Sequence, residues 1–400
     1  MPPRCLLRVI LIGLVALAVG CARPTATGQR GAAPASGGGT VGQTGIPDFG
    51  PALAAIGADA STPSPGAVAR AASRGATVAR PPEQPSAGPG GRDYPYQNVV
   101  WHAYGRGATA YFLFEPAGPS PASASVVVFL HGWLATTPTV YWNWIRHLAR
   151  KGSIVIFPIY QQPLSLPSAF TANALSAEES ALAELRRPGH VSARLDRIEI
   201  IGHSVGAVVA FNLAAEAASH GLPTPKALLT VEPGGLEGTG PAWNAVPMAD
   251  PRAIPASTYY LTLVGDRDTI VGDADAIRLW NAIPQIPSGR RDIVEVVTDL
   301  HGSPALVADH FMPCAGSGLL FSWMTATNAD DYDATWKLSV ALANAAFEHR
   351  DVGYALGGTP EQRFMGVWSD GTPVKSLLIT ENPGDLGPDP AGPAGGLPGV

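Results

Sequence analysis

The sequence predicts an α/β fold, a mostly parallel sheet with helices on both faces. Three observations point to it. Between about residues 93 and 380, apolar runs of strand length alternate with helical stretches. Two of the runs, SVVVFL at 125–130 and SIVIF at 153–157, are continuously apolar, as strands covered on both faces should be. Finally, Gly202-His203-Ser204-Val205-Gly206 stands between an apolar run and a long Ala-rich helical stretch. That is a strand-to-helix junction, and sheets of this class place ligands at the carboxyl ends of their strands.

Taken in order, residues 96–103 and 109–114 read as strands around a Gly105-Arg106-Gly107 turn. Strands follow at 125–130, 153–157, 197–201, 227–231, 258–264 and 292–298. Between and after them, 140–150, 178–187, 205–218, 274–282 and 332–347 have helical character. No repeat of solenoid period is present.

The flanks are different in kind. Arg4 and Arg8 precede a 12-residue uncharged, mostly apolar run from Val9 to Gly20. A membrane-crossing helix needs about 20 apolar residues, so this run reads as an export signal over residues 1–21. Ala18-Val19-Gly20-Cys21 resembles a bacterial lipobox, in which Cys21 would be lipidated after cleavage; an ordinary cleaved signal with an incidental Cys is the plainer reading. Of the 71 residues from 22 to 92, 52 are Ala, Gly, Pro, Ser or Thr, so this segment is expected to be a flexible tether without a core. Residues 381–400, with six Gly and five Pro, are expected to be a similar tail. The expected location is outside the cytoplasm, secreted or held at the bacterial cell surface.

Composition narrows the function. The net charge is −6 without a Lys/Arg cluster, so nucleic-acid binding is not expected. Membrane contact is expected only through the N-terminal anchor. The three cysteines, Cys5, Cys21 and Cys314, form no zinc-type spacing, and the folded part holds only Cys314. Neither a metal, an organic cofactor nor a disulfide is expected there, and the protein is expected to be a monomer.

The chemistry-bearing motifs cluster at strand ends. The Gly202–Gly206 motif fits the nucleophile elbow G-x-S-x-G, in which small residues let the chain turn sharply and lift the Ser204 hydroxyl above a helix N-terminus. Strand 125–130 is followed by His131-Gly132-Trp133. An oxyanion site needs two converging N–H donors, and Val205 and Trp133 can supply them. The Trp133 indole would also form an apolar wall for substrate. Gly265-Asp266-Arg267-Asp268-Thr269 follows strand 258–264, and either aspartate could be the acid. After strand 292–298 come His301 and His310 as candidate bases, with His301 closer to the strand end. His203, inside the elbow, is expected to pack, and His102, His147, His190, His220 and His349 have no motif context.

With nucleophile, acid and base in this chain order, residues 125–350 resemble the α/β-hydrolase superfamily. More narrowly they look like bacterial cutinase-like lipases and polyester hydrolases and their exported relatives. In such enzymes the acid is the second Asp of a stretch like Asp266-Arg267-Asp268-Thr269-Ile270. Their histidine precedes a Phe and, two residues on, a Pro, as in His310-Phe311-Met312-Pro313. The resemblance therefore implies Ser204, Asp268 and His310, with His301 the alternative base. Departures from the pattern are the missing C-terminal disulfide, a long spacing between Ser204 and Asp268 with a loop at 234–255 that could cover the cleft, and a loose match over 363–374.

The expected activity is hydrolysis of a small or polymeric carboxylic ester through an acyl-enzyme. Because the base must be neutral to accept a proton, activity is expected to fall on acidification. Acyl transfer to an alcohol would use the same residues. A non-catalytic ligand-binding lipoprotein on a hydrolase scaffold is the reading from another class.

Overall fold

The computed structural model describes residues 37–41, 49, 78–239, 245–316 and 326–391. The export signal, Cys21 and most of the expected tether lie outside them, as do residues 392–400. Among the described residues ten strands form one sheet: β1 (Gly37–Val41), β2 (Asn98–Tyr104), β3 (Ala110–Ala117), β4 (Ser123–Leu130), β5 (Ser153–Ile159), β6 (Ser192–His203), β7 (Ala227–Val231), β8 (Tyr259–Gly265), β9 (Arg291–Val296) and β10 (Leu378–Thr380). Their order is β1-β2-β3-β5-β4-β6-β7-β8-β9-β10. The six central strands, β5 through β9 in that order, run parallel, and antiparallel strands flank them on both sides. The predicted α/β class is therefore the observed one.

The two faces follow from alternation along each strand. Val127, Phe129, Val155, Phe157, Ile201, Leu229 and Leu263 point to one face, where α1 (Trp142–Lys151) and α5 (Lys337–Glu348) cover them. Val126, Val128, Ile154, Ile156, Ile198, Ile200 and Leu228 point to the other, beneath α2 (Phe170–Glu184), α3 (Val205–Glu216) and α4 (Ala274–Ala282). Each continuously apolar run thus feeds two cores at once. Helix α2 begins eight residues before the predicted start, because its Ala-rich first turns present no polar stripe against which to read a period.

The folded body also reaches further toward both termini than composition predicts. Within the expected tether, β1 adds to the sheet edge through backbone pairing with β2, which a Gly-rich pentapeptide can supply without side chains. Phe49, the single aromatic of that segment, is buried with its ring edge-on to Trp101, Phe112, Phe114 and Trp142. Residues 78–92 are laid onto the body as well: Ala79 O accepts from Ser303 N, and Arg80 exchanges two hydrogen bonds with Ser369. At the other end, Glu381 of the expected tail accepts from Ser288 Oγ at 2.6 Å and from Gly289 N. Among the described residues no helix is long and apolar enough to cross a membrane.

Register aligns the carboxyl ends of the central strands. Leu130 of β4 lies opposite Gly202 of β6, His203 opposite Val231 of β7, and Gly265 of β8 opposite Val296 of β9. The loops after β4, β6, β7, β8 and β9 therefore leave from one edge, and every candidate site residue is carried there.

One buried acid far from that edge sets a pH limit on the fold. Glu178 on α2 is buried with Oε2 unpartnered, and burial pushes its carboxyl up to about 8 from the ordinary 4.5. The folded chain therefore holds a proton that the unfolded chain releases. The stabilisation from holding it is complete below about 4.5 and is lost as the pH rises through about 8. Glu178→Gln is expected to be more stable than the parent at pH 9 by a few kcal/mol and to differ little from it at pH 4. Urea unfolding at the two pH values measures this, and an equal pH-dependent loss in both proteins would contradict it.

Candidate active site

Ser204 sits at the turn from β6 into α3 with φ 57° and ψ −127°, a left-handed conformation that costs a non-glycine residue energy. The turn is held by packing around two glycines. A Cβ on Gly202 would lie 2.2 Å from Gly206 O, and a Cβ on Gly206 would lie 2.3 Å from His131 O and 2.4 Å from Leu130 O. Only hydrogen fits in either place. The Ser204 amide donates to Val231 O at 2.9 Å, tying the strained residue to β7.

Ser204 Oγ lies 2.9 Å from His310 Nε2, and His310 Nδ1 lies 2.8 Å from Asp268 Oδ2. A carboxylate can only accept, so Nδ1 carries the proton and Nε2 is left to accept from the serine hydroxyl. Asp268 is fully buried, and its other oxygen accepts from the amides of Ile270 and Val271 at 2.9 and 3.1 Å. The carboxylate is thereby fixed by three donors. Asp266 instead accepts from the amide and hydroxyl of Thr298, which fastens the end of β8 to the chain beyond β9. His301, the alternative base, is exposed and paired with Asp370 at 2.7 Å, so it is not brought to Ser204.

The loop after β4 faces the elbow. Leu134 has φ 56°, which turns the loop back, and its amide donates to Gln161 Oε1 at 2.7 Å. The Gly132 amide donates to Tyr141 OH at 2.9 Å. Between them, Trp133 N–H has no acceptor among the described residues. Val205 N–H, at the first position of α3, is one of the donors a helix leaves unsatisfied. The Trp133 ring is half-buried and packs on Phe170 at 5.5 Å, making an apolar wall. The loop at 234–255 starts at the site, where Gly234 N donates to Ser204 O at 3.3 Å. Its later part is pinned to α3, with Asn212 bonded to Pro247 O and Ala249 N; residues 240–244 lie outside the described ones.

His203 packs, as its position inside the elbow predicts, but it also bridges. Tyr141 OH accepts from Gly132, so it donates to His203 Nδ1 at 2.8 Å; His203 Nε2–H then donates to His310 O at 3.0 Å. One relay of hydrogen bonds thus joins the loop after β4 to the loop that carries His310. Burial pushes the His203 imidazole far below its usual range, which keeps it neutral in this role.

Sequence reasoning did not single out Glu232. It is fully buried at the end of β7, with φ 46°, and its Oε2 lies 3.4 Å from His203 Nε2 and 3.8 Å from His310 Nδ1. Neither oxygen has a hydrogen-bond partner, and burial, reinforced by the Asp268 charge, raises its carboxyl far above the ordinary range toward the neutral form. The signal in the sequence was a glutamate closing the apolar run ALLTV at the end that carries the site. His203, Glu232 and His310 have potential ligand atoms within 4.8 Å of one another. The ring nitrogens of both histidines are already engaged with Tyr141, Ser204, Asp268 and the His310 carbonyl, so the group reads as a hydrogen-bonded cluster rather than an open cation site.

Residues 113–249 match the family model described as Chlorophyllase, a family of carboxylic ester hydrolases. The match covers about a third of the chain; it includes Ser204 and Glu232 and stops before Asp268 and His310. No curated protein matches the chain. The narrower likeness to cutinase-like enzymes accordingly rests on sequence motifs alone.

Proposed function

From a chain with an α/β-hydrolase type of fold, a third of which matches the Chlorophyllase family model, we infer a serine esterase that cleaves carboxylic esters through an acyl-enzyme on Ser204. What carries the reading is one observation: a serine oxygen in a strained turn, 2.9 Å from an imidazole that a buried carboxylate orients. In this mechanism Ser204 Oγ attacks the ester carbonyl while its proton passes to His310 Nε2. Asp268 stabilises the imidazolium through Nδ1–H. The carbonyl oxygen, now negative, accepts from the N–H groups of Trp133 and Val205; each such donor contributes about 10²–10³ in rate. The imidazolium protonates the leaving alcohol. Water, deprotonated by the same nitrogen, then releases the acid.

The half-buried Trp133 and its neighbour Phe170 favour an apolar acyl or aryl group in the cleft. The N-terminal signal and Cys21 support an exported, membrane-tethered enzyme. The test is a fluorophosphonate probe followed by peptide mapping, together with a panel of p-nitrophenyl esters of graded acyl length. A single adduct on Ser204 and turnover of at least the short esters are expected. No adduct and no turnover would move the protein to the ligand-binding class.

A further inference from the structure

A second cavity, of about 190 Å³, lies between α1, the segment that precedes β2, and the turn of π-helix at Asp330–Trp336 that leads into α5. None of Ser204, Asp268 and His310 lines it. Helix α1 presents Asn143, Arg146, His147 and Arg150 to it, the i, i+3, i+4, i+7 spacing of one helix face.

A count of donors and acceptors shows what the cavity lacks. Tyr94 OH accepts from Gln84 at 2.8 Å and donates to His147 Nδ1 at 2.9 Å, and His147 Nε2–H donates to Pro89 O at 2.9 Å. Burial pushes that imidazole down to about 3, so it is a neutral, satisfied link. Arg150 lies over the Tyr94 ring and donates to Tyr96 O and Gln97 Oε1. Arg146 is different. Its Nε and Nη2 are out of solvent without a hydrogen-bond partner among the described residues, and so is the indole N–H of Trp336. Nε and Nη2 form the side of the guanidinium whose two N–H bonds run parallel, the geometry that fits the two oxygens of one carboxylate. Among the described residues no carboxylate pairs with Arg146 or Arg150. Asp93 is taken by Lys151 at 2.5 Å, and the nearby Lys337 ammonium draws the buried Asp333 carboxyl down against the effect of its burial. Arg146 and Arg150 line a cavity walled by the rings of Tyr94, Tyr332 and Trp336, and no carboxylate among the described residues lines it with them; Arg146 Nε and Nη2 are closed off from it as the side chain stands and meet an occupant when the guanidinium turns.

We propose that this cavity binds a small organic carboxylate, its two oxygens forked on Arg146 and its apolar body against Trp336 and Tyr332. Buried donors left unpaired are costly, and an anion of this shape satisfies them while the rings take up its hydrocarbon. The volume suits an acid about the size of benzoate and excludes drug-sized molecules. Inorganic phosphate offers the same oxyanion without the apolar body.

Isothermal titration of the full chain with sodium benzoate, sodium phosphate and benzyl alcohol tests this. Benzoate is expected to bind at one site with a Kd of about 0.1–1 mM, phosphate at least tenfold more weakly, and the uncharged alcohol not measurably. Arg146→Met should abolish benzoate binding, Arg146→Lys should weaken it at least tenfold by removing the fork while keeping the charge, and Trp336→Phe should weaken it severalfold. Should Arg146→Met fail to fold, the other two variants carry the comparison. Absence of saturable benzoate binding up to 20-fold above the expected range, or an affinity unchanged by the Arg146 substitutions, overturns the site. Phosphate binding as tightly as benzoate overturns the organic class of ligand.

Discussion

His310→Ala is expected to lower kcat for a short p-nitrophenyl ester by about 10⁴–10⁶-fold, while His301→Ala leaves it within about twofold. Both histidines follow β9, and their separation in the sequence is only nine residues. Their surroundings differ completely. His310 is buried between Ser204 and Asp268, with each ring nitrogen committed to one of them. His301 stands at the surface against Asp370, and Trp368 of the segment at 363–374 packs beneath it. Removing the first imidazole takes away both the proton acceptor for Ser204 and the donor to the leaving alcohol. Removing the second breaks only an exposed contact with Asp370, away from Ser204, and such surface contacts contribute little. Steady-state kinetics of the two variants side by side decide the matter; near-parental turnover in His310→Ala would remove the imidazole from the mechanism.

The second large effect concerns the elbow itself. Gly206→Ala places a methyl 2.3 and 2.4 Å from two backbone oxygens at the end of β4, and backbone in a central strand cannot move aside cheaply. The methyl is accommodated only by prising α3 away from β4, which also displaces Ser204 and the Val205 amide. A stability loss of about 3–5 kcal/mol is expected, together with loss of esterase activity. Gly189→Ala is the control. Gly189 has φ 106°, and a Cβ there meets nothing within 4 Å, so only backbone strain of about 1–2 kcal/mol is expected, with activity retained. Equal unfolding midpoints for the two variants would show that the close contact at Gly206 is not what holds the turn.

What could be read in advance divides along physical lines. The central strands and helices were legible because their apolar periodicity is local and strong. Ser204, Val205 and Trp133 were legible because the residues that position them lie within a few places in the chain. Asp268 and His310 were separable from Asp266 and His301 only by likeness to a family pattern. In the fold that choice is made by contacts between residues tens of positions apart, such as Asp266 with Thr298 and Asp268 with His310. Glu232 and the bridging role of His203 depend wholly on such contacts. Strand β1 and the Phe49 anchor were hidden for a different reason. A composition average over 71 residues cannot register one aromatic ring and five residues whose pairing is made by the backbone.

That edge strand bears on how far the enzyme could stand from a bilayer. If the acyl chain sits on Cys21, the leash does not run the 71 residues to position 92. It ends where Gly37 joins the sheet, sixteen peptide steps on. Covalent geometry limits that span to about 55 Å at full stretch. The catalytic body would patrol a shallow layer next to the lipid surface, and substrates held much farther out would have to diffuse inward to meet it.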